Sequence, residues 1–184
     1  MDRKIDVALV YGSVRKGRFC DVVAGWAAEQ ISDHGVFALD VIDPAAHADA
    51  ATLADLKRRV GRADAIVIVT PEYNHGYTGA LKQLIDSVNA EWQAKPVGFV
   101  SYGGISGGLR AVEQLRLVFA ELHAVGIRDS VSFANAWEQF DASGQLLAPV
   151  AAGVAMSTML ARLRWWAIAL RDAREVSAYG MAAA

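Results

Sequence analysis

Apolar and polar residues alternate along the chain in blocks that predict strands separated by helices. Ile5–Tyr11 (IDVALVY) is a short β-branched run that ends at Gly12, and Ala65–Thr70 (AIVIVT) is a continuous apolar run. A continuous apolar run of this length is typical of a parallel strand that is buried on both faces. The same reasoning predicts three further strands, at Val36–Ile42, Pro96–Ser101 and Asp129–Phe133.

The segments between these strands have apolar residues at near-helical spacing. The predicted helices are Phe19–Ile31, Thr52–Val60, Gly76–Val88, Leu109–Val125 and a terminal helix at about 155–174. Strands that alternate with helices form a parallel sheet through right-handed crossovers. We therefore predict an α/β fold, a single domain over residues 1–184, in which 134–150 is a long irregular stretch.

Length and charge narrow the choice of function. The chain has 184 residues, of which 54% are hydrophobic, enough for one domain with a sizeable core and too few for two. A formal net charge of −2 gives no basic field for nucleic acid or an anionic membrane. The longest apolar segments are interrupted by arginines, the beginning of the chain lacks a signal-like apolar run, and Cys20 has no disulfide partner. We expect a soluble, cytoplasmic protein without membrane insertion.

Ligands of such sheets bind at the carboxyl ends of the strands. The predicted first strand is followed by GSVRKGRFC, Gly12–Cys20, which combines glycines, a hydroxyl and three cations directly before a helix. Backbone amides at a helix N-terminus bind anions, so this loop is a candidate phosphate site. It matches neither GxGxxG nor GxxxxGK[ST], and the alternative is a glycine turn with solvated cations.

Two more unusual loops follow the third and fourth predicted strands. PEYNHGY, Pro71–Tyr77, offers aromatic faces and hydrogen-bonding groups that suit a planar heterocycle, although its tyrosines also suit packing on the next helix. SYGGISGG, Ser101–Gly108, has four glycines that let a ligand approach the backbone, or that form a flexible loop. His75 has no second histidine or acid at metal-ligand spacing, so no metal site is predicted. The coincidence of three such loops favours one shared site.

These motifs resemble a known family. GSVRKGR, TPEYNHGYTGALKQLIDS and KPVGFVSYGGISGG are similar to the signature of NADPH-dependent FMN reductases, a family that also includes quinone, azo-dye and chromate reductases. The resemblance runs from about Ile5 to about Phe133. It implies a flavodoxin-like fold, a three-layer sandwich whose five-stranded parallel sheet has the order 2-1-3-4-5. This chain differs from many members in having Arg18, Phe19 and Cys20 where they place serine or asparagine.

The resemblance also implies the cofactor and its surroundings. FMN would be the cofactor and NADPH or NADH the hydride donor, with the chemistry on flavin N5 and no catalytic side chain. The phosphate would lie among Ser13, Arg15, Arg18, Phe19 and Cys20. The isoalloxazine ring would lie between Pro71, Glu72, Tyr73 and Asn74 on one side and Ser101, Tyr102, Gly103 and Gly104 on the other.

The implied activity is ping-pong transfer of electrons from NAD(P)H to a small-molecule acceptor: a quinone, free flavin, azo compound or metal oxyanion. The alternatives are a flavodoxin-like electron carrier and an FMN-binding sensor or accessory protein without NADPH turnover. The resemblance further implies a homodimer or homotetramer. Trp165 and Trp166 in the terminal helix favour burial against another subunit.

Overall fold

The computed structural model describes residues 3–46 and 50–180. Its strands are β1 (Ile5–Tyr11), β2 (Phe37–Ile42), β3 (Ala65–Pro71), β4 (Pro96–Gly103) and β5 (Val125–Ala134). All neighbouring strands are parallel, and they form one sheet in the order β2-β1-β3-β4-β5. The predicted strand order is confirmed. All residues of the central strand β3 are buried, which explains its uninterrupted apolar sequence.

Helices cover both faces of the sheet. They are α1 (Cys20–Asp33), α2 (Ala50–Arg62), α3 (Gly79–Asp86), α4 (Leu109–Glu121) and α5 (Pro149–Val176). One hydrophobic cluster joins α1 and α5 to the sheet, and a second joins α2, α3 and α4 to its other face. The result is the predicted three-layer arrangement. Within the described ranges, no helix combines the length and the apolar character needed to cross a bilayer.

The helix α3 is shorter than predicted because the turn before it is not helical. The helix was expected from Gly76 but begins at Gly79, where Thr78 is the N-cap and its Oγ1 accepts from Leu81 N at 3.1 Å. Asn74 and His75 have φ values of 50° and 76°, in the left-handed region. A chain with this geometry enters a helix only after it has returned to negative φ.

The boundaries near the C-terminus also differ from the prediction. Helix α4 ends at Glu121, and His123 has a φ of 57°, so the segment that was predicted to stay helical to Val125 instead turns into β5. Helix α5 begins at Pro149 and has 28 residues. Proline is favoured in the first turn of a helix because its φ is already helical and that position needs no N–H bond. Part of the predicted irregular stretch 134–150 therefore belongs to α5.

The exposed face of α5 carries the two adjacent tryptophans. In the single chain Trp165 is 64% and Trp166 37% exposed, and their ring centroids are 5.1 Å apart. Their predicted burial against a second subunit remains a prediction.

The strand order and register place the candidate loops side by side. Tyr11 of β1 pairs with Val69 of β3, and Pro71 of β3 pairs with Tyr102 of β4. The carboxyl ends of β1, β3 and β4 therefore meet at one edge. The segments after β1 and after β3 diverge at this edge. The chain continues from β1 to β2, which lies on one side of the sheet's centre, and from β3 to β4, which lies on the other.

Candidate functional site

The loop after β1 carries backbone amides that are free to bind an anion. Gly12 passes so close to β3 that its N–H donates to Val69 O at 2.7 Å, and a Cβ at this position would lie 2.7 Å from the same oxygen. Across the described ranges 3–46 and 50–180, no backbone carbonyl accepts from the N–H groups of Lys16, Gly17 or Arg18. These amides directly precede the 14-residue helix α1, whose amino-terminal end is the positive end of its dipole.

Arg18 fastens this loop to the end of β2. Its guanidinium donates to Asp43 Oδ1 at 2.8 Å, to Asp21 Oδ1 at 2.8 Å and to the carbonyl of Ser13. The hydrogen bond with Asp43, more than any other factor, raises the pKa of Arg18. The side chain is only 11% exposed. Arg18 thus shapes the loop through its carboxylate partners, and its predicted contact with the FMN phosphate remains a prediction.

Tyr73 joins the loop after β3 to the loop after β1. Its hydroxyl lies 2.9 Å from Oγ of Ser13, which is buried, and Cζ of Arg15 lies 3.6 Å from the centroid of its ring. The backbone N–H of Arg15 also donates to Ser13 Oγ, at 3.4 Å. The structure therefore brings together three of the predicted site residues through a hydroxyl pair and a cation–π contact.

A tight turn forms the tip of the loop after β3. Tyr73 and Gly76 exchange backbone hydrogen bonds of 2.9 and 3.2 Å around Asn74 and His75. Two consecutive residues with positive φ are typical of a type I′ turn. Gln114 of α4 donates to His75 O at 2.9 Å and fixes the turn from below. Asn74 is left exposed at the tip.

Glu72 connects the loop after β3 to the glycine loop. One carboxylate oxygen accepts from Ser106 Oγ at 2.7 Å and from the backbone N–H of Arg110 at 3.2 Å, and the other accepts from Arg110 Nη1 at 2.9 Å. The backbone N–H of Glu72 donates to Tyr102 O at 3.0 Å. Burial raises the pKa of Glu72, but the bonds from Ser106 and Arg110 outweigh it and lower the pKa below its usual value. Glu72 is therefore an ionised link between two loops.

The glycine loop is held on the sheet by two hydroxyl groups. Ser101 and Ser132 both donate to the carbonyl of Gly107, at 2.8 and 2.9 Å. Gly107 and Gly108 have φ values of 60° and 83°, and Cβ atoms there would lie 2.3 Å from Ser132 Oγ and 2.8 Å from Ser101 Cβ. Only glycine fits these two positions. The first glycine of the motif, Gly103, ends β4 and completes this edge.

Three predicted site residues form the apolar support beneath the loops. Phe19 packs on Tyr102, with ring centroids 6.0 Å apart, and on Phe140, at 5.8 Å. Cys20 is fully buried, and its Sγ lies 3.8 Å from Val69 O. Burial raises the pKa of Cys20 and of Tyr102. The side chains of Cys20 and Tyr102 face the core, so only their backbones can reach a ligand at the edge, whereas Phe19 is partly buried.

The structure adds residues that the sequence reasoning did not single out. Trp137, in the segment after β5, is 59% exposed and lies beside Gly104, whose carbonyl accepts from Asn135 N at 2.9 Å. Thr78 donates from Oγ1 to Gly12 O at 2.6 Å and so ties α3 to the first loop. Thr78 lies within the motif TPEYNHGYTGALKQLIDS but was not singled out, and Trp137 lies outside the motifs, as an aromatic residue shortly after a predicted edge strand.

Taken together, this edge has the donors that a flavin phosphate and ring require. The phosphate needs several N–H donors and a cation, and the unbonded amides of Lys16, Gly17 and Arg18 lie beside Arg15. The ring needs close backbone approach, which Gly104 and its neighbours provide. Among residues 3–46 and 50–180, no group of three histidine, cysteine, aspartate or glutamate side chains is arranged to hold a metal ion.

Residues 5–138 match the family described as NADPH-dependent FMN reductase. The chain belongs to this family. The matched range contains β1 to β5 and all the loops of the candidate site. The predicted family is confirmed, and with it, at the level of the family, the predicted class of FMN- and NAD(P)H-dependent oxidoreductases.

Individual relatives agree with this assignment. An NAD(P)H-dependent FMN reductase of Schizosaccharomyces pombe is 33% identical over 119 residues, 55% of this chain and 60% of that protein, so the chain spans less than two thirds of it. A quinone reductase of Escherichia coli K12 is 32% identical over 142 residues, 68% of this chain and 74% of that protein. Among solved structures, the flavoenzyme NAD(P)H:(acceptor) oxidoreductase FerB of Paracoccus denitrificans superposes with a TM-score of 0.70 at 22% identity, covering 88% of this chain and 97% of its own. That likeness shows a shared flavodoxin-like fold.

Proposed function

We propose that this protein is an FMN-dependent NAD(P)H oxidoreductase that passes electrons, in ping-pong fashion, to a quinone, free flavin, azo compound or metal oxyanion. FMN, when bound, supplies the hydride chemistry through its N5 atom. The observation that carries the proposal is the set of unbonded amides at Lys16, Gly17 and Arg18, at the same edge as the loops after β3 and β4. Family membership supports it.

The first loop would hold the phosphate. The amides of Lys16, Gly17 and Arg18 and the hydroxyl of Ser13 are the donors, and Arg15 is the exposed cation at the mouth. Arg15 now lies on the ring of Tyr73, so its guanidinium would exchange a cation–π contact for a phosphate oxygen. Arg18 contributes mainly by keeping the loop in shape, since Asp43 and Asp21 already neutralise it.

The two other loops would border the ring. Pro71, Glu72, Tyr73 and Asn74 would lie on one side, and Ser101, Tyr102, Gly103 and Gly104 on the other. The structure supports direct contact for the exposed or backbone groups and a supporting role for the buried side chains of Ser101 and Tyr102. We propose no catalytic side chain, because the chemistry would lie on flavin N5.

We further propose that the protein is a cytoplasmic homodimer or homotetramer. Its support is the exposure of three large apolar side chains next to the candidate site: Ile105 is 88%, Leu109 53% and Leu117 73% exposed. Large apolar side chains that are exposed in a single chain are often found at an interface between subunits. A second copy of the chain placed there would border the glycine loop and limit which acceptors enter.

The test is a visible absorption spectrum of the protein with added FMN, before and after gel filtration and anaerobic addition of NADPH or NADH. Flavin bands that stay with the protein and bleach on addition of the nicotinamide support the proposal. Arg15→Gln should retain less FMN, whereas the exposed control Lys57→Gln on α2 should behave as the wild type. Protein that retains no flavin contradicts the proposed cradle.

Turnover separates the enzyme from its alternatives. A reductase oxidises NADPH continuously in the presence of a quinone or FMN. Retained flavin that is reduced only once, without turnover, would instead indicate an electron carrier or a sensor. The small net charge of −2 already disfavours the strongly acidic docking surface of a flavodoxin-type carrier.

A further inference from the structure

A cavity lies at the amino-terminal edge of the sheet, opposite the candidate FMN site. It has a volume of about 570 Å³, within the range of small-molecule sites. Its walls come from the residues that enter β1, from the turn between α1 and β2, and from α5, and include Arg3, Lys4, Val36, Arg164, Ile168 and Arg171. Strand β1, at about 3.3 Å per residue, separates it by roughly 20 Å from the candidate FMN site.

Positive charge dominates the lining of this cavity. Four cationic side chains border it, those of Arg3, Lys4, Arg164 and Arg171, against a single carboxylate, that of Asp172. In the part of the chain that the structure describes, Lys4 and Arg164 form no ion pair, and both residues are exposed. Such a concentration of like charge is unusual in a chain with a net charge of −2.

The two other arginines of the cavity already have carboxylate partners: Arg3 pairs with Asp6 and Asp64, and Arg171 with Asp64 and Asp172. Asp64 is buried and faces three guanidinium groups: Arg3 at 3.2 Å, Arg171 at 3.5 Å and Arg174 at 3.8 Å. Nη1 of Arg171 is buried and, although within ion-pair range of Asp64, makes no hydrogen bond to the described residues. Because this atom has no surface open to the cavity and faces Asp64, it is not available to a ligand, and in the described part of the chain Lys4 and Arg164 are the cations left to bind one.

Helix α5 arranges two of the cations around an apolar floor. Arg164, Ile168 and Arg171 are spaced i, i+4 and i+7, which places them on one face of the helix. Two guanidinium groups on either side of an isoleucine suit a molecule with separated anionic groups. Arginine is also the side chain that binds phosphate and carboxylate oxygens in pairs.

We propose that this cavity binds a small, multiply charged anion that carries phosphate or carboxylate groups. The anion bridges the exposed side chains of Lys4 and Arg164. It binds independently of FMN, because the whole length of the sheet separates the two sites. The site is thus distinct from the proposed electron-transfer function.

The test is calorimetric titration of the wild-type protein with inorganic pyrophosphate and, separately, with citrate. The titrations use low ionic strength, because about 0.1 M salt screens charges beyond roughly 10 Å. Each is repeated with saturating FMN, which blocks the phosphate cradle at the other edge. The expected result is binding of one anion per chain, with an affinity that FMN leaves unchanged.

Two substitutions locate the site. Lys4→Gln and Arg164→Gln should each weaken binding about tenfold, the loss expected for one charge-assisted hydrogen bond. Lys57→Gln, an exposed lysine on α2, is the matched control and should bind as the wild type. Because Lys4 and Arg164 are exposed, the unfolding temperatures of the variants should match that of the wild type without ligand.

Three results would overturn the proposal. These are the absence of binding by both pyrophosphate and citrate, binding that FMN abolishes, and binding that neither Lys4→Gln nor Arg164→Gln weakens. The second would place the anion in the FMN phosphate cradle. If FMN itself does not bind, the effects of the two substitutions still decide whether this cavity is an anion site.

Discussion

Replacing Glu72 by glutamine tests whether one buried carboxylate holds two loops of the candidate site together. The carboxylate of Glu72 joins the loop after β3 to both Ser106 and Arg110. Glutamine has nearly the same shape but lacks the charge, and one of its two terminal groups donates instead of accepting. In the variant an NH2 group must therefore face either Ser106 and the Arg110 amide or the Arg110 guanidinium.

The expected loss of stability follows from the contacts. Hydrogen bonds to an ionised group contribute about 1.5–3 kcal/mol each, whereas an exposed ion pair contributes about 1 kcal/mol or less. The side chain of Glu72 is 7% exposed and that of Arg110 is 43% exposed, so solvent weakens the bond between them. One oxygen acceptor survives in glutamine, and we expect Glu72→Gln to lower the free energy of unfolding by about 2 kcal/mol. For a chain of this size that is roughly 4–8 °C in the unfolding temperature.

The pH dependence gives a signature that packing alone would not produce. The pKa of folded Glu72 is lowered from 4.5, so the unfolded chain takes up the proton first as the pH falls. The stabilisation by ionised Glu72 is therefore complete at neutral pH. It is lost as the pH falls below the pKa of Glu72 in the unfolded chain and then through the lower pKa of Glu72 in the folded protein. The difference between wild type and Glu72→Gln should be largest near neutral pH and should shrink in acid.

The assay is thermal and urea unfolding of both proteins between neutral and acidic pH, together with FMN retention at neutral pH. Glu113→Gln, which removes an exposed carboxylate from α4, the helix that carries Arg110, is the control for the general effect of charge. A stability difference that stays constant with pH, or a variant as stable as Glu113→Gln, would refute the ionised link. Loss of FMN retention without loss of stability would instead indicate direct contact between Glu72 and the flavin.

Further predictions concern the glycine positions, the cysteine and a buried lysine. Gly107→Ala should destabilise the protein by more than about 2 kcal/mol, because the new Cβ would lie 2.3 Å from Ser132 Oγ. In Gly17→Ala the new Cβ would meet nothing within 4 Å, so this variant should lose only the about 1 kcal/mol that a left-handed backbone costs a residue other than glycine. Urea unfolding measures both losses. The thiol of Cys20 should resist alkylation at neutral pH in the native protein and react after unfolding, since burial raises its pKa; rapid native reaction would contradict this. Burial lowers the pKa of Lys95 from 10.5 to about 8. Between these two pH values the unfolded chain binds more protons than the folded protein, so the free energy of unfolding should rise with pH. A Lys95→Met variant should lack this rise in pH-dependent unfolding, and an equal rise in both proteins would assign it to another group.

The sequence alone determined the order of the elements and pointed to the loops that form the candidate site. The apolar run of β3 and the helical spacing after it are local patterns, and strands that alternate with helices leave few topologies other than a parallel sheet. The loops after β1, β3 and β4 are recognisable because glycine, proline and polar aromatic residues interrupt apolar runs. The resemblance carried by those motifs then predicted the family that the comparison confirmed.

Only the tertiary structure decided which of the predicted residues are exposed at the candidate site and which face the core. Cys20 lies in the same loop as Arg15, and Tyr102 lies in the glycine motif, yet both side chains are buried, whereas Arg15 and Asn74 are exposed. The direction of a side chain depends on helices and strands that pack against it from distant parts of the chain.

The same physical reason explains the residues and boundaries that sequence reasoning missed. The bond from Thr78 to Gly12 O spans 66 positions, and the pair of Arg171 with Asp64 joins α5 to the entrance of β3. No local pattern records such contacts. They arise when the sheet fixes the distance between its two edges, and this fixed distance also separates the candidate FMN site from the cationic cavity.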